Sequence, residues 1–216
     1  MRLRCGLWGL AIALAACGSS SASPQTAPSP TASSSGSAHC GPSGAHTLAA
    51  SHLARVYVLG GGVYGCSLGG DRSFRLGNHA RSIREERVGP LALAGRDAAY
   101  GLTRYGVDTL SATVIVERLS DGKQLHNSSA TSRPLGPEFF QSVKSILVKS
   151  DGAVAWVANA GSIISGRPAE VEVNRADMRG ALLLDSGAGI DPRSLRLHNS
   201  TVTWRHGSAT RSATLR

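Results

Sequence analysis

The residues that most resemble chemical machinery in this chain are glycines. "VLGGGVYG" at 58–65 sets Gly60, Gly62 and Gly65 in the spacing G-x-G-x-x-G, after a strand-like run "RVYVL" at 55–59. Glu85 and Glu86 follow about twenty residues on, which completes the outline of a dinucleotide-binding turn. Such a turn must open a helix, so that the pyrophosphate meets the helix N-terminus. Here "VYGCSL" continues as a strand, so the glycines read as a hairpin turn that needs positive φ, and no cofactor is expected. Hydrolase patterns fail in the same way. No G-x-S-x-G elbow occurs, and "GCSLG" at 65–69 sets Ser67 one place late. The seven His show no H-E-x-x-H or H-x-H, and the scattered acids build no D-x-D-x-D loop, so no metal site is expected. "DSGAGIDP" at 185–192 reads as a turn between repeats, with Asp191-Pro192 starting the next strand.

Charge narrows the class further. The 216 residues carry 23 Lys+Arg against 14 Asp+Glu, a formal +9. Basic residues are dispersed, and the densest stretch, "RSIREER" at 81–87, includes two acids. The few aromatics fall in strand-like runs and do not alternate with basic residues as a base-stacking surface requires. A nucleic-acid partner is not expected.

The first forty residues concern location. Arg2 and Arg4 precede the apolar run "CGLWGLAIALAA" at 5–16, a charged and then hydrophobic leader too short for an ordinary membrane span. It ends in "LAAC" (Leu14–Cys17) followed by "GSSS", which resembles the bacterial lipobox. That resemblance implies a thioether-linked diacylglyceryl group on Cys17, cleavage after Ala16, and a partner in membrane lipid. Ordinary secretory cleavage at the "ALA" of 13–15, releasing a soluble protein, is the alternative. Residues 1–16 are then the signal peptide, and 17–38 a lipidated Cys with a Ser/Pro/Ala tether. The tether has no charge and almost no large apolar residue, so burial cannot offset its chain entropy. As a coil it spans roughly 25 Å.

Cys40 and Cys66 remain in the exported part. In an oxidising compartment an even pair reads as a disulfide.

Residues 39–216 must supply the elements that position any site. They show short alternating apolar runs broken by Gly, Asp, Asn and Ser, the pattern of a many-stranded antiparallel domain. Four segments align: "VYVLGGGVYG" (56–65), "LALAGRDAAYG" (91–101), "ILVKSDGAVAWV" (146–157) and "LRLHNSTVTWR" (195–205). Each is strand, turn, strand, closing on an aromatic (Tyr64, Tyr100, Trp156, Trp204) and one more residue. A second hairpin follows the first three, at 66–77, 113–127 and 170–187, and "SATRSATLR" (208–216) follows the fourth. This rhythm resembles the small β-propellers of the WD40, YVTN and TolB type and unannotated exported bacterial proteins. The fold class is therefore all-β, about four antiparallel repeats in a small or incomplete propeller, with a two-sheet β-sandwich as the alternative. "HTLAAS" (46–51) could complete the last repeat and close the ring. "PEFFQSVKSIL" (137–147) fits a short helix as well as a strand.

Long inserts are where a repeat protein places binding residues. "TRYGVDTLSA" (103–112) offers Arg104, Tyr105 and Asp108, and "NAGSIISGRPAE" (159–170) offers Arg167. Together these features point to a lipid-anchored, non-enzymatic binding or scaffolding module of the cell envelope, its partner an envelope protein or glycan. The alternatives are an envelope hydrolase or lyase whose residues converge from several repeats, and a fragment that completes its sheet on another chain.

Overall fold

A computed structural model describes residues 40–80, 86–132, 139–162 and 169–216. The fold is all-β. The strands β1 (His46–Ala50), β2 (Ala54–Leu59), β3 (Gly62–Ser67) and β4 (Ser73–Asn78) form a first antiparallel meander. A second comprises β5 (Glu86–Ala94), β6 (Asp97–Tyr105), β7 (Leu110–Arg118) and β8 (Lys123–Ser129). A third comprises β9 (Phe139–Val148), β10 (Val154–Ser162), β11 (Glu170–Asp177) and β12 (Gly180–Ser186). Single parallel pairs, Asn78↔Arg87 and Leu110↔Phe140, join these meanders into one mixed 12-stranded sheet. The strands β13 (Arg196–His198), β14 (Thr201–His206) and β15 (Ala209–Thr214) form a separate three-stranded sheet.

Successive meanders bury apolar faces against each other. Val56, Val63 and Leu76 of the first meet Ala98, Tyr100 and Leu102 of the second. Ala99, Val114 and Val116 of the second meet Val143, Ile146 and Trp156 of the third. Ala155, Val157 and Val173 of the third meet Val202, Trp204 and Leu215 around the last sheet. The inner strands of the two middle meanders are thus covered on both faces, which fits apolar stretches such as "ATVIV" (112–116) in β7 and "VAWVA" (154–158) in β10. The described strands form one large mixed sheet and one three-stranded sheet, with no closed ring among the described residues. Among the described residues no apolar cluster joins the last sheet to the first.

The repeat aromatics follow one rule. Tyr100, Trp156 and Trp204 each point into the core shared with the preceding meander. The residue after the aromatic is Gly65 in the first repeat and Gly101 in the second. A Cβ at Gly65 would sit 2.6 Å from Leu119 Cδ2, and one at Gly101 would sit 2.9 Å from Val143 Cβ. Glycine at both positions lets the next meander lie against the strand backbone.

Three expectations change. "HTLAAS" pairs with β2 as strand β1, so it completes the first meander rather than the last sheet. The first repeat has no separate second hairpin, because β3 runs straight through 62–67 and pairs on one side with β2 and on the other with β4. The segment with helical spacing at 137–147 enters β9, described from Phe139. The register with β10 slips between Val157 and Ala158, where Val157 faces Ser145 and Ala158 faces Val143. Lys144 is the extra residue of a bulge. It flips the alternation, so Val143 and Ile146, three apart, share a face and mimic a helix. The glycines of 58–65 are a turn: Gly60 (φ 56°) and Gly61 (φ 81°) take the two positive-φ positions that suit a right-twisted hairpin.

Candidate functional site

Leu110 bridges to Phe140, and Phe139 pairs with Ser162, so the β6–β7 turn and the end of β10 leave the sheet on one side. Arg104 is exposed and forms an ion pair with Glu86, its cross-strand neighbour. Tyr105 closes the turn opposite Leu110, and Asp108 is exposed in it. The turn itself is held by the Gly106 N–H donating to the Thr109 carbonyl at 2.8 Å. Arg167 and Cys17 lie outside the described residues.

A more developed concavity lies between the second and third meanders. It is a cleft of about 380 Å³ between β8 and β12. Asn127, Ser128, Ser129, Thr131 and Ser132 line one side, Ala181, Leu182 and Leu183 the other, with Trp156 and Asn174 between. None of these side chains is charged. Leu182 and Leu183 are left partly exposed on β12.

Two buried polar groups hold this lining. Glu172, 2% exposed on β11, accepts from the Ser132 N–H at 2.7 Å, the Ser132 hydroxyl at 2.8 Å and the Asn174 amide at 3.2 Å. No cation pairs with it among the described residues. Gln141, 1% exposed on β9, donates to the Thr131 hydroxyl at 2.6 Å. Trp156 donates from Nε1 to the Ala130 carbonyl at 2.7 Å, which pins the start of the 130–132 turn. A buried carboxylate without a counter-ion is costly unless neutral donors saturate it, and these do. Their effect is to fix Thr131, Ser132 and Asn174 at the wall of the cleft.

Two further buried acids, Asp177 and Asp185, tie the third meander to the C-terminal residues. Asp177 accepts from the Arg179 N–H at 2.9 Å and the Arg216 N–H at 3.1 Å, and it pairs with the Arg175 guanidinium. Burial pushes its carboxyl up. The Arg179 and Arg216 hydrogen bonds and the Arg175 charge outweigh that and hold it well below the usual carboxylate range. Asp185 accepts from Trp204 Nε1 at 2.7 Å and Arg211 at 2.5 Å, and lies 3.0 Å from His206 Nδ1. Burial raises this carboxyl too, and the Trp204, His206 and Arg211 partners bring it below its ordinary value. In the second meander Tyr100 donates to Glu117 at 3.2 Å. Burial, then the Glu117 charge, drives the phenol upward, and burial raises Glu117. Among the described residues no three His, Cys, Asp or Glu side chains converge as a metal would require.

The insert-based expectation named other residues than those of the cleft. A signal for Glu172 and Asn174 was present in "EVEVN" at 170–174, where polar residues alternate with valines in a strand walled on both sides. Ser132 and Gln141 carried no such mark, since their roles depend on partners forty and ten positions away that no local pattern announces. No family model, no curated protein and no solved structure matches the chain.

Proposed function

We propose that the chain is a membrane-anchored extracytoplasmic lipoprotein whose β-repeat domain, a small propeller-like stack, acts as a non-catalytic binding or scaffolding module in the cell envelope. The observation that carries the reading is "LAAC" at 14–17, followed by the uncharged tether of 18–38. The Cys40–Cys66 disulfide supports it, since such bridges persist where the surroundings are oxidising. The propeller-like reading draws support from meanders that meet face to face in sequence order, with Tyr100, Trp156 and Trp204 turned toward the preceding meander. A binding role fits the cleft: its polar groups are immobilised, yet no nucleophile–base pair lines it. The His206–Asp185 contact would suit the hydrolase alternative, but that carboxylate is already shared with Trp204 and Arg211.

The anchor is tested by feeding cells a clickable palmitate analogue. The parent protein should take up label and sediment with membranes, and Cys17→Ala should do neither. An unlabelled parent would remove the anchor from the proposal.

A further inference from the structure

We propose that the cleft between β8 and β12 binds a neutral polyhydroxylated ligand, a segment of uncharged glycan. This deepens the binding-module reading and rests on it.

Four features point to the ligand class. The first is neutrality: no lining side chain carries charge, so an ionic ligand finds no opposite charge to pair with. Behind the lining stands Glu172, a carboxylate held by neutral donors with no cation beside it among the described residues. An anion seated in the cleft would face that charge across a poorly screened interior. The second is the lining chemistry. Hydroxyls and carboxamides each donate and accept, which matches the two-way hydrogen bonding of a sugar hydroxyl.

The third is immobilisation. Glu172 accepts hydrogen bonds from the Ser132 hydroxyl and the Asn174 amide, leaving the Ser132 oxygen lone pairs and the Asn174 carbonyl oxygen as acceptors. Gln141 donates to Thr131, leaving the Thr131 O–H as a donor. The cleft therefore presents acceptors and donors whose rotors are fixed before a ligand arrives, which lowers the ordering cost of binding. The fourth is the opposite wall. Leu182 and Leu183 are 51% and 39% exposed, an aliphatic surface suited to the C–H face of a pyranose ring. The volume, about 380 Å³, falls at the lower end of small-ligand sites.

The test uses the full exported chain carrying Cys17→Ala, so that its result is independent of lipidation. The probes are chitotetraose and maltotetraose, with a fully deacetylated chitosan tetramer and heparin as charged comparisons. Binding is followed by calorimetry and by the fluorescence of Trp156, which lines the cleft. The expected result is saturable binding of at least one neutral tetrasaccharide, changed less than twofold by 0.5 M NaCl. Leu183→Ser, on an exposed position, should weaken it about tenfold, and Thr131→Val by a similar factor. An unchanged melting temperature of Leu183→Ser keeps its loss at the cleft, while Thr131→Val, which also leaves the buried Gln141 amide without its acceptor, is assayed well below its lower melting temperature. No binding of either neutral probe overturns the proposal. So does binding confined to heparin or to the chitosan tetramer and lost in salt, or neutral binding unaffected by both variants. Those outcomes leave the palmitate experiment untouched, so the ligand and the anchor fail separately.

Discussion

On the outer face of the first meander, Tyr57 and Tyr64 stack with ring centroids 5.8 Å apart, beside the Cys40–Cys66 bridge. On the outer face of the last sheet, alternation places Arg196 and His198 of β13, Thr203 and Arg205 of β14, and Ser212 of β15. One end is aromatic and covered. The other is hydroxylic, basic and open to water. The difference follows from the direction of the repeat aromatics. Tyr100, Trp156 and Trp204 each lean on the meander before them, but Tyr64 belongs to the first repeat and has no predecessor. It stacks on Tyr57, and residues 40–45 cover that ring. Arg55 clamps that segment through the Cys40 carbonyl at 3.2 Å, the Ala45 carbonyl at 2.5 Å and the Thr47 hydroxyl at 2.8 Å. Gly41 (φ 80°) allows it to lie on the ring, since a Cβ there would fall 2.6 Å from Tyr57 Cε1. The last sheet turns its aromatic inward and needs no cover.

The sharpest way to break this contrast is to remove the bridge. Cys40→Ser with Cys66→Ser opens a loop of sequence separation 26 and should cost about 3 kcal/mol by the loop-entropy account. That corresponds to a melting temperature lower by about 10 °C in a domain of this size. Tyr57 and Tyr64 should become accessible to iodination while Trp204 stays protected. Acid should act at the other end. Asp185 has a depressed folded-state pKa, so its contribution is fully present above the unfolded value near ~4. It is lost as pH falls through the lower folded value. The Trp204 indole N–H resonance should therefore shift below about pH 4 in the parent. In Asp185→Asn it should stay flat with pH, at a lower overall stability. The smallest effect belongs to the open face: Thr203→Val and Arg205→Ser should each change stability by under about 0.5 kcal/mol in chemical denaturation. A loss several times larger would mean that this face is not simply solvated.

The sequence carried the repeats because each copy closes on an aromatic in a strand, and all four closing strands formed as read. It carried the disulfide because only two cysteines remain past residue 17. It did not carry β1's partner. "HTLAAS" has the same strand character whichever edge it joins, and the choice falls to Leu48 packing into the core of the first two meanders. Nor did it carry β9, where the bulge at Lys144 imitates a helical period. The cleft was the least legible part. Its wall is built by Glu172 on Ser132, forty positions apart, and by Gln141 on Thr131, ten apart, pairings that no sequence pattern announces, whereas the inserts drew notice by length alone.

The position of the bridge has a mechanical meaning. Among the described strands β1 lies at an edge, paired with β2 alone, and a pull on the chain ahead of Cys40 would peel it away one rung at a time. Cys66 lies in β3, laddered on both sides by β2 and β4. With the bond intact, load entering at Cys40 passes through sulfur to β3, and two ladders must shear together before the domain gives way.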